Sequence, residues 1–406
     1  MKHVFALLAV LAVLTTGCRK ATTTIPDIVP ALPPVQNFGE PVTEAEAYDV
    51  GKIIEKAWNE KDLPTLGRYM NMERIMRRGV ADMIAANKSF EAGFMNAIRN
   101  RGSSEKMLMA LLPHADGTRP LTFLRSRQSK NGTRTFVARM INNDGGLTYD
   151  EFYPGRDEKN QIVVLDIYVL IVDEMFSETM RSSIYPLLAQ SMNKNDNTSS
   201  LAELNKISEF TLTTRTGQHE VAYQQYLKLP EKTRKLKAFQ LLAIVCLSEL
   251  PTHEKEYLKL VEDYYLLHSD DPGSDLVTLD YFVNKQNVKQ VQAALKRINT
   301  WCGGDDYLQV IEANFFLTLG QTDEAKHIAD RVAKNNPAYG PIYDVLILID
   351  LAKKDWPAAK THFELLISHS TDTYDFDALS KTEPYVEFGQ TPQFKEVQEF
   401  HKKNRK

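Results

Sequence analysis

The chain has 406 residues, 43% hydrophobic and 25% charged, with a formal net charge of −4. That is longer than one ordinary domain and apolar enough for packed cores. The balance excludes a strongly basic, nucleic-acid-coating protein, and no Gly/Ser linker or low-complexity tract interrupts the chain after its N-terminal segment.

The first element is "MKHVFALLAVLAVLTTGCRK": a Lys at position 2, an apolar run Val4–Leu14, then Thr15-Thr16-Gly17-Cys18. The run is too short to span a bilayer and fits the hydrophobic region of an export signal. The Leu-Thr-Thr-Gly-Cys ending resembles a bacterial lipobox, with Thr15 where Leu is more usual. That resemblance implies a signal peptide over 1–18, lipidation of Cys18 and a membrane-anchored protein of the bacterial cell envelope, facing the periplasm or the exterior. Residues 19–39 are rich in Pro and Thr and read as an extended tether.

Residues 40–195 form the next block. An amphipathic helical pattern begins at "TEAEAYDVGKIIEKAWNEKDLPTLGRYM", breaks near Asp62-Leu63-Pro64 and restarts, with further helix at 71–86 and 89–112. Then the period changes to two. "PLTFLRSRQ", "GTRTFVARMIN", "GLTYDEFYPG" and "QIVVLDIYVLIV" read as four antiparallel strands, with Asn131-Gly132 as a hairpin signal between the first two. A helix at 174–193 follows. Helices followed by a meander predict an α+β domain. It resembles the NTF2-like or cystatin-like cone, in which a curved sheet wraps a long helix. One alternation of the strands carries Arg125, Arg127, Arg139, Glu151 and Tyr153, with Asp166 and Tyr168 candidates to join them. In a cone this face could bind an acidic or polar ligand. Polar-out alternation is also the default of a half-exposed antiparallel sheet, which favours a solvated face with cross-strand charge pairs.

From 199 to 406 the chain is helical and self-similar. Ala325 in "LGQTDEAKHIADRVAKNNPAYG" has counterparts 34 residues away at Val291 and Ala359, each in the second of two helical patterns joined by a short turn. Gly320 suits the turn, Ala325 and Ala359 allow close helix approach, and Pro337 ends the unit. These residues resemble the tetratricopeptide repeat, with units near 201–230, 233–268, 272–303, 306–337 and 340–370. Asp350 departs from the pattern, standing where Phe282 and Phe316 supply an aromatic two units and one unit earlier. The tail from Thr391 reads as a last helix whose Phe394, Val397 and Phe400 cap the stack. The resemblance implies a helical solenoid whose first helices line a partner-binding groove at Leu242, Cys246, Leu276, Asp280, Val310, Asn314, Asp344 and Leu348.

Several strings mimic chemistry and fail it. "HEVAY" (His219–Tyr223) and "HEKEY" (His253–Tyr257) carry Tyr where a zinc motif needs its second His, so both read as exposed helix ends. "CGGDDY" at 302–307 lies between helices rather than in a hairpin, and "SDDPGSD" at 269–275 lacks calcium-loop spacing. No nucleophile motif, phosphate loop or dinucleotide turn occurs. Cys246 and Cys302 read as small buried residues, with a disulfide left open. The expectation is therefore a non-catalytic, lipid-anchored scaffold that binds a protein or peptide at its groove, without metal or cofactor. The alternative is a small-ligand sensor or carrier using a pocket in the α+β domain.

Overall fold

The computed structural model describes residues 37–81, 120–129, 132–141, 147–179, 181, 206–207, 209–214, 216–269, 272–369 and 374–404. The expected export signal with Cys18, the expected helix at 89–112 and most of that at 174–193 lie outside the described residues. Among the described residues no helix is long and apolar enough to cross a membrane.

Helix α1 (Glu44–Asn59) begins at a capping box in which the Thr43 hydroxyl and the Glu46 carboxylate each accept a backbone N–H of the other residue. It is followed by α2 (Leu63–Tyr69), which starts at the Asp62 cap with Pro64 in its first turn, and α3 (Met72–Gly79). The sheet is β1 (Leu121–Gln128), β2 (Arg134–Ile141), β3 (Leu147–Arg156), β4 (Ile162–Val169) and β5 (Glu174–Met175), antiparallel and in sequence order. The expected four strands are thus five. A tight turn with Asp173 at φ +55° folds the chain back to pair Glu174 with Val169, where helix was expected.

One face of the sheet is apolar and lies under α1. Gly51 sits so close that a Cβ there would stand 2.4 Å from the Phe123 ring. Phe136 and Phe152 stack at 4.7 Å beside it. Helix α1 also shields the edge of β1: the Asn59 amide accepts from Leu121 N–H and donates to Leu121 C=O, while Glu55 accepts from Phe123 N–H. Two side chains of a helix thereby satisfy three backbone groups that an edge strand would otherwise expose.

The helical region contains α4 (His219–Leu227), α5 (Glu231–Arg234), α6 (Lys237–Ser248), α7 (Glu254–His268), α8 (Pro272–Asn284), α9 (Val288–Cys302), α10 (Asp306–Thr318), α11 (Thr322–Asn335), α12 (Pro341–Lys353), α13 (Trp356–His369), α14 (Phe376–Leu379), α15 (Val386–Gly389) and α16 (Pro392–Asn404). The second helices of successive pairs start at Glu254, Val288, Thr322 and Trp356, 34 residues apart. Buried positions keep the same step: Val261, Leu295, Ala329 and Phe363 form one row, and Tyr264, Ile298, Val332 and Leu366 another. The turns repeat as well. Gln286, Gly320 and Lys354 all have left-handed backbone, at φ +51°, +71° and +57°. The residue after each donates to the same carbonyl position: Asn287 to Phe282 at 3.0 Å, Gln321 to Phe316 at 2.9 Å and Asp355 to Asp350 at 2.9 Å.

Two compact units divide at Thr278/Leu279, inside α8. In the first, the turn after β4 is tied to the helices. Lys237 at the start of α6 lies 4.0 Å from Asp173, and a Cβ on Gly273 would stand 1.9 Å from the Leu170 carbonyl oxygen. In the second, α10, α11, α12 and α13 pack on their sequence neighbours, α10 also on α12, and α16 closes against α13. Its core gathers Phe363, Phe376, Phe388, Phe394 and Val397.

Candidate functional site

The expected groove residues separate into two groups. Asp280, Asn314 and Asp344 are exposed, and Leu276 and Leu348 are half-buried. Leu242, Cys246 and Val310 are in the core and cannot contact a partner. The reason is plain for α6, where every residue from Gln240 to Leu247 is buried, so the helix has no solvent-facing stripe there. Cys246 is a buried thiol whose burial pushes its pKa up to about 11, with the Thr214 hydroxyl 3.5 Å away; Cys302 is buried too.

The polar side chains of the sheet do share a face by register: Arg125 pairs with Val137, Glu151 lies between Val137 and Tyr168, and Tyr153 faces Asp166. That face is not solvated. Of the expected residues only Arg125 is exposed; Arg139 and Glu151 are buried, and Arg127 and Tyr153 are half-buried. Arg127 grips Glu151 with two bonds of 2.8 and 2.6 Å, and the Thr135 hydroxyl donates to the same carboxylate at 2.5 Å. Burial and the charge of Glu151 push the Tyr153 phenol up to about 12. Asp166, fully buried, accepts from Arg78 at 2.7 Å and from the hydroxyl and backbone N–H of Ser177. Its burial raises the carboxyl pKa, and Arg78 pulls it back. Each of these two carboxylates is matched by an arginine: Glu151 by Arg127, which reaches across β2 from β1, and Asp166 by Arg78 of α3. An open cleft of about 290 Å³ lies elsewhere, between Glu46, Asp49, Arg68 and Tyr69 at the start of β4.

Residues that the sequence reading set aside acquire partners. The two failed zinc strings meet, because His253 of the second hydrogen-bonds Glu220 of the first at 2.9 Å and packs its ring on Tyr223 at 5.8 Å. Asp350 is buried and bonded to His362 at 2.6 Å, with the His362 ring stacked on Tyr343. Stepping back 34 residues from this pair gives Phe316 and Ile328, both buried. The departure from the aromatic pattern is therefore a matched exchange of an apolar pair for a hydrogen-bonded polar one. Lys237 is flanked by Asp173 and Glu174, and its burial pulls the amine down to about 8 against their attraction. In neither histidine pair does a Ser, Thr or Cys side chain bond the imidazole among the described residues. No group of three His, Cys, Asp or Glu able to hold a metal occurs among the described residues.

Compared with known proteins, the chain matches no family model and no curated relative.

Proposed function

We propose that this chain is a non-catalytic scaffold of the bacterial cell envelope, held to a membrane through Cys18, that binds a protein or peptide along tetratricopeptide-like helical pairs. The observation that carries the reading is the 34-residue ladder of paired helices with matching left-handed turns. Stacked pairs of this kind present their first helices as an extended concave surface. On those helices Asp280 and Asn314, one repeat apart, are exposed, as is Asp344. The buried Leu242, Cys246 and Val310 drop out, which leaves a shorter and more acidic face than the sequence implied. An acidic face with half-buried leucines fits a partner segment that is basic and partly apolar.

The test is cross-linking mass spectrometry on the full-length protein in its native membranes. One dominant partner linked through lysines between Lys285 and Lys353, and lost when Asp280 and Asp344 are both changed to Arg, supports the scaffold. A protein found alone and monomeric, or a partner indifferent to the charge reversal, sinks it.

A further inference from the structure

The open cleft of about 290 Å³ is framed by α1, α2 and the first residues of β4. Its volume is near the lower limit of ligand pockets, which begin at about 300 Å³. Helix α1 lends it one stripe: Asp49, Val50 and Ile53 follow Glu46 by three, four and seven residues, so the four share a helix face. Ala47, Gly51 and Ile54, on the next stripe round the helix, are buried in the core. After the turn at Lys61, which has left-handed backbone at φ +61°, α2 contributes its last two residues, Arg68 and Tyr69. Val50 and Val163 are buried and Ile162 is half-buried, which makes the base of the cleft apolar, while Ile53 on its rim keeps 36% of its surface exposed.

The charges on this lining are matched unequally. The Glu46 carboxylate accepts from Arg156 at 2.7 Å and from the N–H and hydroxyl of Thr43. The Asp49 carboxylate has no hydrogen bond or ion pair among the described residues, and neither has the Arg68 guanidinium. Arg68 instead lies over the Tyr69 ring, 5.4 Å from its centroid, a contact that consumes none of its N–H donors. The Tyr69 hydroxyl is likewise without a hydrogen-bond partner among the described residues. Two unmatched charges of opposite sign thus line one cleft without pairing with each other. An anion held by Arg68 would be opposed by Asp49, and a cation held by Asp49 would be opposed by Arg68. A molecule carrying both charges a few bonds apart satisfies both, and an apolar side chain on it would cover Ile53.

We propose that this cleft binds a small zwitterion with an apolar side chain, the chemistry shared by a free amino acid such as leucine and by a dipeptide. The ligand's carboxylate takes the donors of Arg68 and the Tyr69 hydroxyl, its ammonium takes Asp49, and its side chain rests on Ile53 and Ile162. Charges this exposed are screened by water, so the dissociation constant is expected at about 1 mM or somewhat below. The site is independent of the scaffold reading and uses none of the residues of the Arg127–Glu151 and Arg78–Asp166 pairs.

The experiment is ligand-observed NMR titration of the full-length protein with leucine, leucyl-leucine and glycine. N-acetyl-leucine, leucinamide and N-acetyl-leucinamide complete the set by removing the ammonium, the carboxylate or both. Leucine or leucyl-leucine is expected to bind, with glycine and each blocked analogue about five- to tenfold weaker or worse. The tighter of the two zwitterions tells whether the source is a free amino acid or a short peptide. Asp49→Asn and Arg68→Gln should each weaken that zwitterion about five- to tenfold. The losses should be selective: Arg68→Gln should not weaken leucinamide, and Asp49→Asn should not weaken N-acetyl-leucine. Both side chains are exposed, so circular dichroism should show each variant folded as the parent. N-acetyl-leucinamide binding as tightly as leucine, an affinity for the zwitterion unchanged in either variant, or no binding of leucine or leucyl-leucine up to about 10 mM would each overturn the proposal.

Discussion

Asp350 shows how one side chain can depart from a repeat without breaking it. Its carboxylate is buried and bonded to the imidazole of His362, which keeps about one-fifth of its side-chain surface exposed. Removing one member of such a pair strands the other, whereas replacing both with apolar groups is often neutral. Asp350→Ala is therefore expected to destabilise the second unit by about 2–3 kcal/mol, discounted for the exposure of the histidine. The double change Asp350→Phe with His362→Ile, which restores the pair found at Phe316 and Ile328, should return stability to within about 1 kcal/mol of the parent. Chemical denaturation of the three proteins checks this. A double variant as weak as the single would mean that Tyr343 and its neighbours cannot accept the larger ring.

At the scale of elements, the left-handed turn is the sharpest case. Gly320 has open space around it, so its use is conformational rather than steric. Gln286 and Lys354 hold the same backbone with side chains that disfavour it by about 1 kcal/mol each. Gln286→Gly and Lys354→Gly should each raise stability by up to about 1 kcal/mol, and Gly320→Ala should lower it by a similar amount, read from thermal melts. If all three changes were destabilising, the turns would owe their shape to something other than local backbone preference. The same turns explain what was legible in the sequence. Gly320, Ala325 and Pro337 announce one helical pair, and the 34-residue step carries it to its neighbours, because close helix approach and chain reversal demand particular residue types. The strand meander was legible for a similar reason, since a two-residue period and Asn131-Gly132 leave few alternatives. Short β5 was not, because two residues carry no period. The groove was half legible: position in a repeat predicts which helix face a residue occupies, but not whether another helix covers that face, which is why Val310 was misplaced. The contrast between adjacent carboxylates was invisible, because "LTYDEF" does not say that Glu151 finds Arg127 while Asp150, buried on the opposite face of β3, has no arginine.

On the scale of the whole molecule, the break in compactness falls well beyond the end of the sheet. Lys237, Gly273 and the turn at 170–174 bind the early helices to the α+β part, and the later pairs form their own unit. A chain ending at Lys285 is expected to unfold in one cooperative transition by circular dichroism. One ending at Thr198 should lose about 2 kcal/mol or more, since the turn after β4 forfeits its packing partners. Equal melting of the two would place the working boundary back near residue 199.

The Asp350–His362 pair also sets α12 and α13 apart from the other helical pairs. Helical pairs built on a common 34-residue template are nearly interchangeable, so a growing chain could dock one against the wrong neighbour and bury much the same surface. Asp350 removes that freedom for α12 and α13. Docked one rung out of place, its carboxylate would meet the apolar Ile328 position instead of an imidazole, and the mistake would carry the desolvation cost of an unpaired carboxylate. The pair thus works as an address, marking which end of an otherwise monotonous stack belongs next to the closing helix α16.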